Sequence, residues 1–207
     1  MSRDLDQDQT LLLEKEQLIE YFRSGEKDPG GRVFGTEHEK FVFRKDTRRV
    51  ISYEEPGGFS DLMGQLSKEY GWEASYDQGH IVALVKDGGA LTLEPGGQFE
   101  LSGKITKTVF ETEEELDNHF TEIKELAGDR LSFVPWGLNP FDSLEDVPWM
   151  PKSRYGIMRR YLPTRGALAH WMMKMTCTVQ GNYDYVSESD AVEIIRTSLM
   201  ISPTVSA

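Results

Sequence analysis

Cysteine is almost missing from this sequence: Cys177 is the only one in 207 residues. No intrachain disulfide can form, and a reducing compartment is expected. Long apolar runs are missing as well, none approaching the roughly 18 residues of a membrane span, so no membrane partner is expected. Positive charge is in short supply, with 23 basic against 35 acidic residues and a formal net charge of −12. That balance argues against nucleic acid as a partner and favours a protein that handles cations or magnesium-bound anions. The opening residues, Met1-Ser-Arg-Asp-Leu-Asp6, lack the apolar core of a signal peptide and are too acidic for a transit peptide. A cytoplasmic location is expected, or a plastid one if a transit peptide has been removed. The sequence holds no Walker P-loop, no Gly-x-Gly-x-x-Gly after a strand, no zinc spacing, no Gly-x-Ser-x-Gly elbow and no EF-hand loop. It assigns no oligomeric state.

What is there is a globular composition, 38% hydrophobic, and enough chain for one sizeable core or two small ones. Leu11, Leu12, Leu13, Leu18, Ile19, Tyr21 and Phe22 form a helical stripe, with Asp8 or Thr10 as N-cap and Gly25 as stop. Residues 32–105 read mostly as strands and turns: 32–43, 50–53, 72–76, 80–86 and the stretch 90–102, with one amphipathic helix over 61–69. The period then changes to helical over 111–131, where Leu116, Phe120, Ile123, Leu126 and Ala127 recur three and four apart. A strand follows at 131–136. Residues 174–184 alternate polar and apolar as one long strand, and a helix spans 187–200, ended by Pro203. The fold class is therefore α+β, an antiparallel sheet with flanking helices, and residues 1–207 read as a single domain.

The chain is organised around Ala90-Leu-Thr-Leu-Glu-Pro-Gly-Gly-Gln-Phe-Glu-Leu-Ser102. Alternation puts Leu91, Leu93, Phe99 and Leu101 on one side of a hairpin, and Thr92, Glu94, Gln98, Glu100 and Ser102 on the other. Pro95, Gly96 and Gly97 supply the turn. Two carboxylates that close repel each other unless a cation lies between them; an ordinary hairpin with a solvated outer face is the other reading. A second acidic face comes from Glu37 and Glu39, which point the same way about 7 Å apart on a strand, close enough to flank divalent ions. Lys152, Arg154, Arg159, Arg160 and Arg165 cluster in an otherwise acidic chain. They suit a carboxylate or phosphate, or they neutralise the acidic faces across the fold. The neutral Thr176, Thr178, Gln180 and Asn182 suit hydrogen bonding to a ligand. Cys177 reads as a buried structural residue.

Four stretches together resemble the glutamate–cysteine ligase family in its plant and proteobacterial branch. They are Gly35-Thr-Glu-His-Glu-Lys-Phe41, Leu93-Glu-Pro-Gly-Gly-Gln-Phe-Glu-Leu-Ser-Gly103, Met150-Pro through Arg159-Arg160-Tyr-Leu-Pro163, and Met172-Met-Lys-Met-Thr-Cys-Thr-Val-Gln-Gly-Asn182. The resemblance implies a glutamine-synthetase-like catalytic core, incomplete here, with the chain forming the N-terminal portion of a longer ligase domain. It implies joining of the glutamate γ-carboxylate to the cysteine amine with ATP as co-substrate, through a γ-glutamyl phosphate, as the first step of glutathione synthesis. Small molecules would be the only partners. Glu37, Glu39, Glu94 and Glu100 would hold Mg2+; Gln98, Thr176, Thr178, Gln180 and Asn182 would bind substrate or nucleotide; Arg159 and Arg160 would face a carboxylate or the transferring phosphate. A ligase of the same fold with another acceptor, or a fragment that binds ATP and Mg2+ without turnover, are the alternatives.

Overall fold

A computed structural model describes residues 14–205. Leu11, Leu12 and Leu13 of the first helical stripe, and its expected caps Asp8 and Thr10, lie outside the described residues. The chain divides into two compact units, Gly35–Gly181 and a smaller one made of Met1–Phe34 with Asn182–Ala207.

The larger unit is built on a sheet that begins with β1 (Phe34–Arg44), the strand carrying the Glu-x-Glu pair. After α2 (Phe59–Tyr70) come β2 (Glu73–Asp77), β3 (His80–Lys86), β4 (Gly89–Leu93) and β5 (Phe99–Ser102). Helix α3 (Val109–Ala127) and strand β6 (Leu131–Val134) follow, then α4 (Ser153–Tyr161), α5 (Ala169–Met175) and β7 (Val179–Tyr183). The sheet order is β2-β3-β4-β5-β1-β6, with β7 also pairing with β1. The six strands of that path are antiparallel to their neighbours, as expected of an α+β chain whose strands arrive in hairpins. A register shift at Ser75/Tyr76 kinks the outer strand β2.

Alternation decides which face is covered. Leu91, Leu93, Phe99 and Leu101 bury their side chains with Val42, Phe59, Met63, Leu66 and Ile123, so α2 and α3 close one face of the sheet. Phe41, Phe43, Val50 and Cys177 form a second, smaller cluster. Strand β1 is thus buried on both sides over residues 39–43, which explains why its apolar run loses alternation there.

Several local expectations change. Val50 makes only an isolated bridge with Phe43 rather than a strand. Lys174 and Met175 belong to α5, because Thr176 Oγ1 donates to Met172 O at 2.8 Å and finishes a helical turn before the chain extends. Helix α4 was not legible: its polar, basic sequence buries only Tyr155.

The smaller unit holds α1 (Lys15–Ser24) and α6 (Glu188–Val205). Gly25 is the C-cap of α1 as expected, yet Leu18, Ile19, Tyr21 and Phe22 face outward. Ser187 Oγ accepts the Asp190 N–H at 3.2 Å and starts α6, while Arg32 pairs with Asp190 at 2.6 Å. Pro203 lies inside α6 instead of ending it, at the loss of one backbone bond to the Leu199 carbonyl.

Candidate functional site

The pairing register brings the acidic side chains together. Glu39 stands opposite Glu100, and Glu100 opposite Thr92, so one row crosses β1, β5 and β4. Residues in one such row share a face. Thr92 Oγ1 lies 3.2 Å from Glu100 Oε1 and 3.5 Å from Glu94 Oε1. A hydroxyl carries one proton, so it satisfies one of the two carboxylates at a time. Ser102 Oγ donates to the same Glu100 oxygen at 2.8 Å. The next row pairs Glu37 with Ser102, which sets Glu37 one step along the same face.

This crowding shows in the protonation of Glu39. Burial first, and then the Glu100 and Glu94 charges, push its carboxyl up to about 7, against the hydrogen bond from Thr178. Thr178 donates its N–H to Glu39 Oε2 at 3.0 Å, while the Glu39 N–H donates to Thr178 O at 3.1 Å. Glu94 is also raised, by burial and by Glu100, with Lys152 and Arg154 acting the other way. Behind β1, Lys40 is fully buried, donates to His38 O at 2.8 Å and is lowered by burial to about 8.

The basic segment divides. Lys152 Nζ and Arg154 Nη2 lie 3.8 and 3.7 Å from Glu94 Oε1. Tyr155 fixes this placement: its hydroxyl is 2.7 Å from Leu93 O and 3.3 Å from Glu94 Oε1, and both cations stack on its ring. Arg159 instead lies over Trp149, with its guanidinium carbon 5.0 Å from the ring centre. Arg160 is on the exposed side of α4 and Arg165 stacks on Tyr161. The cations beside the acidic face are therefore not the two arginines singled out from the sequence. Helix rotation, set by the Tyr155 anchor, decides which basic residues face inward, and the sequence alone does not show it.

Gln98 is on the expected strand but its amide is turned into the protein. Oε1 accepts the Gly96 N–H at 2.9 Å, and Nε2 donates to Met173 O at 3.1 Å and Thr176 O at 2.7 Å. Thr176 gives its own hydroxyl to Met172 O. Thr178 and Gln180 are exposed and bonded to each other, Gln180 Nε2 donating to Thr178 Oγ1 at 3.1 Å. Asn182 belongs to the smaller unit.

Oxygen donors on a face of excess negative charge are what Mg2+ takes, usually through one or two carboxylates with phosphate oxygens and waters completing the shell. Among the described residues, no three His, Cys, Asp or Glu side chains stand as a ready metal-holding set. The Glu94–Thr92–Glu100 convergence offers a carboxylate pair, which fits an ion completed by a substrate but not a closed cage.

The model of glutamate–cysteine ligase family 2 matches residues 33–207. Among curated relatives, glutamate–cysteine ligase A, chloroplastic, of Oryza sativa subsp. japonica is 39% identical over 196 residues, covering 94% of this chain and 39% of the relative. The chloroplastic glutamate–cysteine ligases of Nicotiana tabacum and Arabidopsis thaliana are 39% and 38% identical over the same length, covering 94% of this chain and 37% of each relative. The chain spans about two fifths of the length of these relatives. A family match across the acidic strands, the Pro-Gly-Gly turn and the basic helix leaves one conclusion: this chain belongs to glutamate–cysteine ligase family 2.

Proposed function

We propose that this chain supplies the acidic sheet of a ligase that joins the γ-carboxylate of L-glutamate to the amine of L-cysteine at the expense of ATP, the first step of glutathione synthesis. Residues 1–207 would then be one part of a longer catalytic domain. The observation that carries the reading is the meeting of Glu94 and Glu100 at Thr92, with Glu39 across from Glu100 in the same row and Lys152 and Arg154 beside Glu94, in a member of this family.

Phosphoryl transfer needs alignment and charge neutralisation more than covalent help from the protein. A γ-carboxylate oxygen of glutamate bonds to the terminal phosphorus of ATP and ADP leaves; the cysteine amine then bonds to the acyl carbon and phosphate leaves. Glu94 and Glu100, with Glu39 and Glu37 beside them, are the residues that would hold Mg2+. When bound, the ion would neutralise charge on the phosphate chain. Lys152 and Arg154 give the site a positive side, suited to a substrate carboxylate or the transferring group. Thr178 and Gln180 offer exposed polar groups for hydrogen bonds to substrate. The resemblance implies a phosphate-facing role for Arg160 as well, although it stands on the exposed side of α4 and Lys152 and Arg154 are the cations beside Glu94. The aqueous compartment would be the cytoplasm, or a plastid, as for the chloroplastic relatives; no described helix is long and apolar enough to cross a membrane.

The test compares the 207-residue chain with the longest reading frame containing it, supplied with Mg2+, ATP, glutamate and cysteine. ADP and γ-glutamylcysteine should appear together and in equal amounts. Glu100→Gln should abolish that Mg2+-dependent release, and near-normal turnover would refute the metal role of Glu100.

A further inference from the structure

We propose that Gln98 is a positioning residue, a buried clamp that sets how the Thr176–Thr178 segment lies against Glu39. The inference rests on the reading of the acidic face given above and gives one of its neighbours a different role.

The amide is fully engaged by main-chain groups of fixed polarity. Gly96 N–H can only donate, and the Met173 and Thr176 carbonyls can only accept, so the three bonds fix which end of the amide is oxygen. Met173 O lies in the last turn of α5, where carbonyls lack helical partners; Gln98 caps that turn from the strand side. With 2% of its surface exposed, the side chain offers no face to a substrate.

The backbone around it is pinned at the same point. Met150 N–H donates to Pro95 O at 3.0 Å, and Gly97 N–H to Glu94 O at 2.9 Å. A Cβ on Gly96 would stand 2.5 Å from Lys174 O, so the turn touches the end of α5 directly. Two residues after Thr176, Thr178 gives its N–H to Glu39 Oε2. One amide therefore ties the turn that follows Glu94 to the segment that holds Glu39. Groups that orient metal-binding carboxylates in this indirect way typically cost about 10–100-fold in metal affinity when removed.

The experiment uses the 207-residue chain and two variants. Gln98→Met removes all three hydrogen bonds at similar length; Gln98→Glu keeps an acceptor for Gly96 and remains available if the first variant does not fold. Amide hydrogen exchange is followed residue by residue, and Mn2+ affinity is followed by electron paramagnetic resonance of the free ion. The Thr178 amide should exchange about tenfold faster or more, with the central amides of β3 and β4 unchanged, and Mn2+ affinity should fall by about 10–100-fold. Unchanged Thr178 protection overturns the proposal, as does acceleration shared equally by every strand, the mark of general destabilisation. If the parent chain itself takes up no Mn2+, the metal reading of the carboxylates fails, and the Thr178 exchange alone decides for or against Gln98.

Discussion

Glu39 and Thr178 hold each other twice: the Thr178 N–H reaches the Glu39 carboxylate at 3.0 Å, and the Glu39 N–H reaches the Thr178 carbonyl at 3.1 Å. One carboxylate oxygen, Oε2, is thereby committed to the backbone. A group pinned at one oxygen and crowded by two other acids is expected to respond to pH and to cations together.

Stability without metal should fall as Glu39 ionises. Its carboxyl is raised from 4.5 to about 7, so its contribution is complete below 4.5 and is lost as pH rises through about 7. Glu39→Gln should melt higher than the parent at pH 8, by about 1–2 kcal/mol once solvent screening is allowed for. The gain should vanish below pH 4.5. Thermal melts across pH check this, and equal melting points at pH 8 would contradict it.

His119 predicts the opposite slope. It is 3% exposed on α3, and neither ring nitrogen has a partner among the described residues. Burial, then the Lys40 and His38 charges, hold its ring well below 6.5. A base lowered in the folded state contributes stability above its ordinary value and loses it as pH falls below 6.5. His119→Leu should be neutral or stabilising by about 1 kcal/mol at pH 7, since no unsatisfied nitrogen remains. Its advantage should widen at pH 5.5. Chemical denaturation at both pH values measures the difference, and a loss of stability at pH 5.5 would contradict the argument.

Arg154 and Arg159 should separate in function. Arg154→Ala removes a cation beside Glu94 and should lower the catalytic rate or weaken substrate binding in any chain that turns over. Arg159→Ala removes a stack on Trp149, worth about 0.5–1 kcal/mol at a solvent-accessible position, and should show mainly in melting. Steady-state ADP release beside thermal melts distinguishes them; equal kinetic losses would not fit.

Gly97 has φ of 84°, and a Cβ there would meet Phe59 Cε2 at 2.7 Å. Gly97→Ala should cost about 2–4 kcal/mol, from left-handed backbone strain and crowding of the core. Urea unfolding gives the value, and a loss under 0.5 kcal/mol would show that Phe59 yields easily.

The hairpin of β4 and β5 was legible because its period of two survives on both strands, and its Leu91, Leu93, Phe99 and Leu101 are core residues as read. The clustering of Thr92, Glu94 and Glu100 followed from the same alternation. Gln98 could not be assigned that way, because a buried amide on a polar face looks like an exposed one until its main-chain partners are known. Arg154 was obscured for another reason: the contact of Tyr155 with Leu93, which helps orient α4, joins residues 62 apart. His119 gave no signal, being a polar letter inside an amphipathic pattern.

The kink in β2 between Ser75 and Tyr76 also bears on how molecules meet in concentrated solution. A straight outer border would invite a neighbour's backbone to continue the ladder, whereas this border turns aside midway and carries Glu73 and Asp77 at its two ends. Along that margin, end-to-end growth into fibrils meets both a bend and repulsion between like charges.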